Sequence, residues 1–338
     1  MRPILLHGHI RSLTRVKYNR EGDLIFSVSK DNKPNVWYSH NGERLGSYHG
    51  HNGTVWDLDI SFDSKRLLTG SADSSARLWD VQTGKELFKW NTNTAVRAVA
   101  FAQGDKKALY VTDAVMGQKS TIWVVPVEDN VEDQTDEFML KITIDGPKAT
   151  VAEWGNLNKT IITGHDDGTI TVWDAETGER IKEHRTHEST ITDLQFTKNR
   201  ATFISSSKDC TAKISDAKTL KIMKVFTTER PVNSASISPI KPHIVLGGGQ
   251  EAMSVTTTDQ RHGKFEARFY HLVFEEEIGR VKGHFGPINT LAFHPDGTGY
   301  ASGAEDGFIR VHHFDDDYFN FKYAEEEMIE KEAVKSAA

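Results

Sequence analysis

Residues 50–80 read GHNGTVWDLDISFDSKRLLTGSADSSARLWD, and the spacings inside this stretch decide the fold. His51 opens it, Asp73 follows 22 residues later, and Trp79-Asp80 begins six residues after that aspartate. Between these markers Val55-Trp56-Asp57-Leu58-Asp59-Ile60 alternates as a half-buried strand does. Arg66 to Gly70 reads as a second strand and Ala76 to Trp79 as a third, with a turn at Asp73-Ser74 between them. A Gln82-Thr83-Gly84 turn then leads into a fourth, Glu86-Leu87-Phe88.

The same ruler fits other parts of the chain. His9, Asp31 and Trp37 repeat it, as do His187, Asp209 and Ser215, and again His284, Asp306 and His312. Laid on Asp167 it finds Trp173-Asp174 ahead and Asp145 behind; laid on Gln250 it finds Thr228. One degenerate unit runs from Thr92 to Trp123. The starts at 9, 51, 92, 145, 187, 228 and 284 are separated by 42, 41, 53, 42, 41 and 56 residues. A period of about 40–45 residues with Gly-His near its start and Trp-Asp near its end marks the four-stranded blade of a propeller.

The spacing therefore predicts an all-β, seven-bladed WD-repeat β-propeller over residues 1–323. The long steps place insertions near 128–137 in blade three, expected as a flexible exposed loop, and near 251–264 in blade six. Residues 324–338 read as an acidic tail, flexible or helical. Ile4-Leu5-Leu6 precedes the first Gly-His as an outer strand precedes each later one. It is expected to close the ring as the outermost strand of the last blade, leaving no open edge. Tyr318-Phe319-Asn320-Phe321 is the alternative strand for that place.

A hydroxyl residue stands four before each of five aspartates: Ser27, Thr69, Thr163, Ser205 and Ser302. A relay from indole N–H through hydroxyl and histidine to aspartate would satisfy every polar group in a dry interior, where an unpaired one costs ~1–3 kcal/mol. Blade one holds a complete set in His9, Ser27, Asp31 and Trp37, and blade two in His51, Thr69, Asp73 and Trp79. Blades five (His187, Ser205, Asp209) and seven (His284, Ser302, Asp306) lack the tryptophan, and blade four has Asp145 in place of the histidine. A catalytic Ser-His-Asp triad is needed once, whereas this grouping recurs. It is read as structural.

No other motif points to an enzyme, a metal or a cofactor. Gly247-Gly248-Gly249-Gln250 lacks the following helix and Lys-Ser/Thr of a phosphate loop and reads as a turn of close backbone approach. Asp315-Asp316-Asp317 lacks calcium-loop spacing and reads as a solvated turn. His312 and His313 are adjacent and point to opposite faces of a strand. Lys208, Lys213, Lys218, Lys221 and Lys224 form a local basic stripe in blade five, a solvated edge or a contact for an acidic partner or ribosomal RNA. Ser215 in place of a tryptophan suggests an edge thin enough to receive a partner helix.

Composition narrows the function classes. The net charge of −7 is concentrated at the end: residues 315–338 hold eight acids against three lysines, which leaves the remainder close to neutral. Autonomous nucleic-acid binding needs a clustered basic footprint, and the near-neutral body shows no global one, which argues against it. A single cysteine, Cys210, excludes an internal disulfide and fits a reducing compartment. No run approaches the ~18–20 apolar residues that cross a bilayer, so a soluble cytoplasmic protein is expected.

The run from Gly247 to Thr290, GGGQEAMSVTTTDQRHGKFEARFYHLVFEEEIGRVKGHFGPINT, carries a more specific likeness. With residues 18–24 (YNREGDL) and 36–46 (VWYSHNGERLG), it resembles subunit i of eukaryotic translation initiation factor 3 over nearly the whole chain. The resemblance implies a scaffold, monomeric within a hetero-complex, that joins subunits b and g on the small ribosomal subunit during start-codon scanning. It also implies that a helical segment of subunit b packs near blades five and six, with Asn199 and Asp216 facing the partner and Gln250 in the adjoining loop. A signalling adaptor or ubiquitin-ligase substrate receptor is the alternative function, although no blade supplies the repeated exposed arginines of a phosphodegron pocket.

Overall fold

The computed structural model describes residues 3–115, 117–249 and 265–323. Among these, twenty-eight strands form seven four-stranded antiparallel sheets. The innermost strands are Leu13–Tyr18, Val55–Ile60, Val96–Phe101, Ala149–Trp154, Ile191–Phe196, Val232–Ile237 and Ile288–Phe293. Each touches its counterparts in the two neighbouring blades, the first meeting the last, so the ring is closed.

Each blade is covered on both faces, which explains why the second strands are buried almost throughout instead of alternating. Seven apolar clusters fill the seven interfaces between consecutive blades. The one between blades one and two, for example, joins Phe26, Val36 and Tyr48 to Leu58, Leu67 and Trp79. Gly247 lies on a strand, where a Cβ would come 2.7 Å from Ile288 Cγ2 of the next blade, so its absence lets blades six and seven approach.

Six blades run in chain order from their innermost to their outermost strand, and the last does not. Its outermost strand is Ile4–His7, paired antiparallel with Phe308–His313 from Ile4↔Val311 to His7↔Phe308. Leu6 is 1% exposed there. Tyr318 to Phe321 supplies no strand, because Asp316–Asn320 is a short helix. The Asp315 side chain accepts the Tyr318 N–H at its start, so the acidic run is a helix cap and not an open turn.

That helix fastens the end of the ring. Lys241 Nζ of blade six donates to the carbonyls of Tyr318 (3.1 Å), Phe319 (2.7 Å) and Phe321 (3.0 Å). The Tyr318 hydroxyl lies 3.0 Å from His243 Nδ1, and its ring stacks on Phe314 with centroids 3.8 Å apart.

Every innermost strand slips register after its first residue, a β-bulge repeated seven times. A bulge re-aims the extra side chain. In five blades that side chain donates to a carbonyl of the following blade: Thr14 to Val55, Thr150 to Ile191, Thr192 to Val232, Asn233 to Ile288 and Asn289 to Leu13. Blades two and three depart from this, with Arg97 stacked 4.2 Å from the ring of Trp56. These seven residues help to line a cavity of about 470 Å³ at the centre of the ring.

The blade-three insertion is exposed at every position from 128 to 137 except Gln134, and it is tied to its blade. It holds a 3₁₀ turn at Val131–Asp133, and the buried Gln134 side chain accepts the Glu128 N–H (3.0 Å) and donates to the Pro126 carbonyl (2.9 Å). The blade-six insertion near 251–264 and the tail 324–338 lie outside the described residues. No helix among the described residues is long and apolar enough to cross a membrane.

Candidate functional site

The repeated polar groups meet inside single blades. In blade one the Trp37 indole N–H donates to Ser27 Oγ (2.8 Å), His9 Nε2 lies 2.8 Å from that oxygen, and His9 Nδ1 lies 2.9 Å from Asp31. In blade two the corresponding distances through Trp79, Thr69, His51 and Asp73 are 2.8, 2.7 and 2.8 Å. The chain of donors closes with a neutral imidazole: the hydroxyl that accepts from the indole donates to Nε2, and Nδ1–H donates to the carboxylate. Burial lowers the His51 pKa, which favours that neutral form. Burial works against an ionised Asp31, yet hydrogen bonds from His9, Ser29 and the Lys33 amide outweigh it and hold the carboxyl at about 2.

Blade five places His187 between Ser205 (2.8 Å) and Asp209 (3.0 Å), and blade seven places His284 between Ser302 (2.8 Å) and Asp306 (3.1 Å). At the tryptophan position of blade seven, His312 stacks on Tyr300 with centroids 4.7 Å apart. Burial and the nearby His284 and Arg310 bring its pKa down to about 4.

Blade four does have a histidine, from a different place. His165, on the strand Thr160–His165, reaches Thr163 Oγ1 with Nε2 (2.9 Å), while Trp173 donates to the same hydroxyl (2.9 Å). Its Nδ1 finds the Pro147 carbonyl at 3.1 Å in place of an aspartate. The ruler missed it because it looked 22 residues before Asp167. A signal was present: Ser29, Ser71, Ser207 and Ala304 are small residues two after their hydroxyls, and His165 is the exception.

His51→Ala is expected to destabilise the fold by about 1–3 kcal/mol, since it takes the ring acceptor from the buried Thr69 hydroxyl and the ring N–H from Asp73. Urea denaturation measures this. An unchanged midpoint would mean that the hydrogen bonds contribute nothing.

The sequence reading also missed a charge lock across the ring. Arg15 on the innermost strand of blade one pairs with Asp57 of blade two (3.2 Å) and with Asp193 of blade five. Two residues on, Lys17 pairs with Asp59 (3.0 Å) and with Glu153 of blade four (3.4 Å). Burial alone would lower the Arg15 pKa, and the carboxylates of Asp193 and Asp57 reverse this and raise it. The acids are held in turn: Asp57 accepts Val99 N–H (3.0 Å) and Asp59 accepts Phe101 N–H (2.7 Å), each from blade three.

The face carrying the histidine loops is called the upper face here. Asn199 and Asp216 lie together on the lower face, at the end of blade five. Asn199 Oδ1 accepts from Thr197 Oγ1 (2.8 Å) and Ala201 N–H (3.0 Å). Asp216 Oδ1 accepts from Lys218 N–H (3.1 Å), Thr219 N–H (2.7 Å) and Thr219 Oγ1 (2.7 Å). The Ala217 N–H joins the two turns by donating to Ala201 O (2.9 Å). Asp80 and Asp174 hold the equivalent turns of blades two and four in the same way, so turn-holding is the first task of Asp216. Hydrogen bonds from Thr219 lower its pKa, and its Oδ2 makes no described hydrogen bond.

Gln250 lies outside the described residues, and the strand leading toward it, His243–Gly248, ends on the upper face, away from the other two. The expected thin edge at Ser215 is also filled. Leu220, at φ +58 where the equivalent turns have Gly84 and Gly178, is 2% exposed and packs in one cluster with Phe203, the cross-strand neighbour of Ser215. The basic stripe is partly engaged: Lys213 donates to the Thr186 carbonyl, and Lys224 reaches Val273 O and Glu275 of blade six.

A family model, EIF3I, matches residues 1–324. The chain belongs to the family of subunit I of eukaryotic translation initiation factor 3. Curated relatives bearing that name are 52% identical in Bombyx mori and 53% identical in both Schizosaccharomyces pombe and Homo sapiens. The alignments cover 96% of this chain and 98–99% of each relative. The blade-six run that carried the likeness in the sequence falls inside the matched region, and the tail after residue 324 falls outside the family model.

Proposed function

We propose that this protein is a non-catalytic scaffold within translation initiation factor 3, working in the cytoplasm as one copy of a hetero-complex. In this reading it holds subunits b and g and so supports mRNA recruitment to the small ribosomal subunit and start-codon scanning. The observation that carries the reading is the family match over residues 1–324. The relays of His9, His51, His187 and His284 serve in it as rigid wiring, which suits a frame that engages several partners without changing shape.

The lower end of blade five is the surface assigned to subunit b. Asp216 offers its Oδ2 there, and Met223 and Val225 are 56% and 40% exposed on the outermost strand Ile222–Thr227. A carboxylate beside apolar side chains suits an amphipathic helix with a basic residue on its contact face.

Asp216→Lys is expected to weaken capture of a recombinant subunit b fragment while the melting curve stays within a few degrees of the parent. The carboxylate's hydrogen bonds stay within its own turn, so its loss loosens that turn without unfolding the blade. Undiminished capture would remove this site from the reading.

A further inference from the structure

In the four relays with a Gly-His or Thr-His start, the aspartate makes one more hydrogen bond. Its carboxylate accepts the backbone N–H of the residue after the histidine: Ile10 (3.1 Å), Asn52 (3.1 Å), Glu188 (3.0 Å) and Phe285 (3.0 Å). The relay thus clamps the backbone of one upper-face residue per blade. In blades one and seven, which are neighbours, the clamped residues are Ile10 and Phe285, 89% and 84% exposed. These are the two most exposed large apolar side chains among the described residues.

The turn Glu305-Asp306-Gly307 joins the two positions. Asp306 holds Phe285, and a Cβ on Gly307 would stand 3.2 Å from His9 O and 3.3 Å from Arg11 O. A loop pinned at both points cannot fold its apolar side chains inward. The exposed charge around them is positive. Arg11 and Lys33 are exposed and make no described ion pair. The acids nearby are turned inward or paired: the Asp31 and Asp306 side chains are only 4% and 8% exposed against their histidines, and Glu305 meets Lys30 (3.3 Å) and Asn289 (2.9 Å).

We propose that this lip of the upper face, with Ile10 and Phe285 as apolar anchors and Arg11 and Lys33 as flanking cations, docks an acidic polypeptide segment of a partner that carries bulky apolar residues. RNA would also meet cations and an aromatic ring here. The peptide is favoured because Ile10 offers no face for base stacking, and two free cations are far from the basic groove that tracks a phosphate backbone. The contact is additional to the one assigned to blade five and lies on the opposite face of the ring.

The test uses the full chain assembled in the purified initiation factor, with p-benzoylphenylalanine at position 285. Irradiation is expected to cross-link it to one peptide segment rich in aspartate and glutamate, mapped by mass spectrometry. Ile10→Ser is expected to lower the yield roughly tenfold through loss of an apolar anchor. Arg11→Glu with Lys33→Glu is expected to lower it about threefold, with the melting temperature unchanged. Cross-linking to RNA, to a segment without acidic excess, or to nothing would overturn the proposal. Asp216→Lys is expected to leave the cross-link intact, so failure of the blade-five contact and failure of this one are read separately.

Discussion

Arg15→Ala is expected to cost about 3–5 kcal/mol of folding free energy, the largest loss from any single substitution considered for this protein. The guanidinium bridges Asp57 and Asp193, which come from blades two and five, and it is only 12% exposed. Its removal leaves two carboxylates facing each other near the axis with no cation between them. Neither acid can easily turn away, since Asp57 also accepts Val99 N–H and Asp193 also accepts the Ser234 hydroxyl. Equilibrium urea unfolding measures the loss. Arg15→Met combined with Asp57→Asn and Asp193→Asn is expected to recover most of it, because uncompensated charge is the cause. A single-variant loss below about 1 kcal/mol would show that water reaches the acids and that the lock is decorative.

Removal of residues 1–7 is expected to be nearly as severe, and to change the state of association as well. The strand Ile4–His7 is the fourth strand of blade seven, so its loss strips Leu6 from the interface between blades seven and one and bares the strand Phe308–His313. Burial of Leu6 alone is worth about 1.5–3 kcal/mol, and the lost ladder adds to it. A bared strand edge pairs with whatever strand it meets, so the shortened chain is expected to self-associate. Light scattering and thermal denaturation check the two effects. A monomer with the parental melting temperature would show that ring closure does not depend on this strand. Rescue by an added peptide spanning residues 1–8 would tie the loss to the strand and exclude misfolding elsewhere.

Much of the fold was legible because its signals are local. His51, Thr69, Asp73 and Trp79 fall within one blade, and their spacing counts the residues of three strands and the three short connections that precede them. The same holds for the turns: Asp80, Asp174 and Asp216 each stand a fixed three residues before the threonine they bind. Legibility fails where a residue acts out of its usual place. His165 enters its relay from the strand and Leu220 replaces a glycine to fill the space beside Ser215, and both break the period that revealed their neighbours.

Contacts between distant blades were not legible at all. Arg15, Lys17, Asp57, Asp59, Glu153 and Asp193 are visible as charges on alternating strands, where solvated edges are the ordinary reading. Only closure of the ring brings residue 15 to residue 193 and turns those charges inward. The lip of Ile10 and Phe285 has the same origin, since residues 275 positions apart become neighbours when the first strand joins the last blade.

By itself the sequence determined the number of blades, the composition of the buried relays in blades one, two, five and seven, and the chain's family, because repetition within about forty residues needs no long-range information. The tertiary structure decided which strand shuts the ring, which charges meet at the axis and which apolar side chains stay outside. These depend on the curvature that seven wedge-shaped sheets adopt together, and no single repeat contains it.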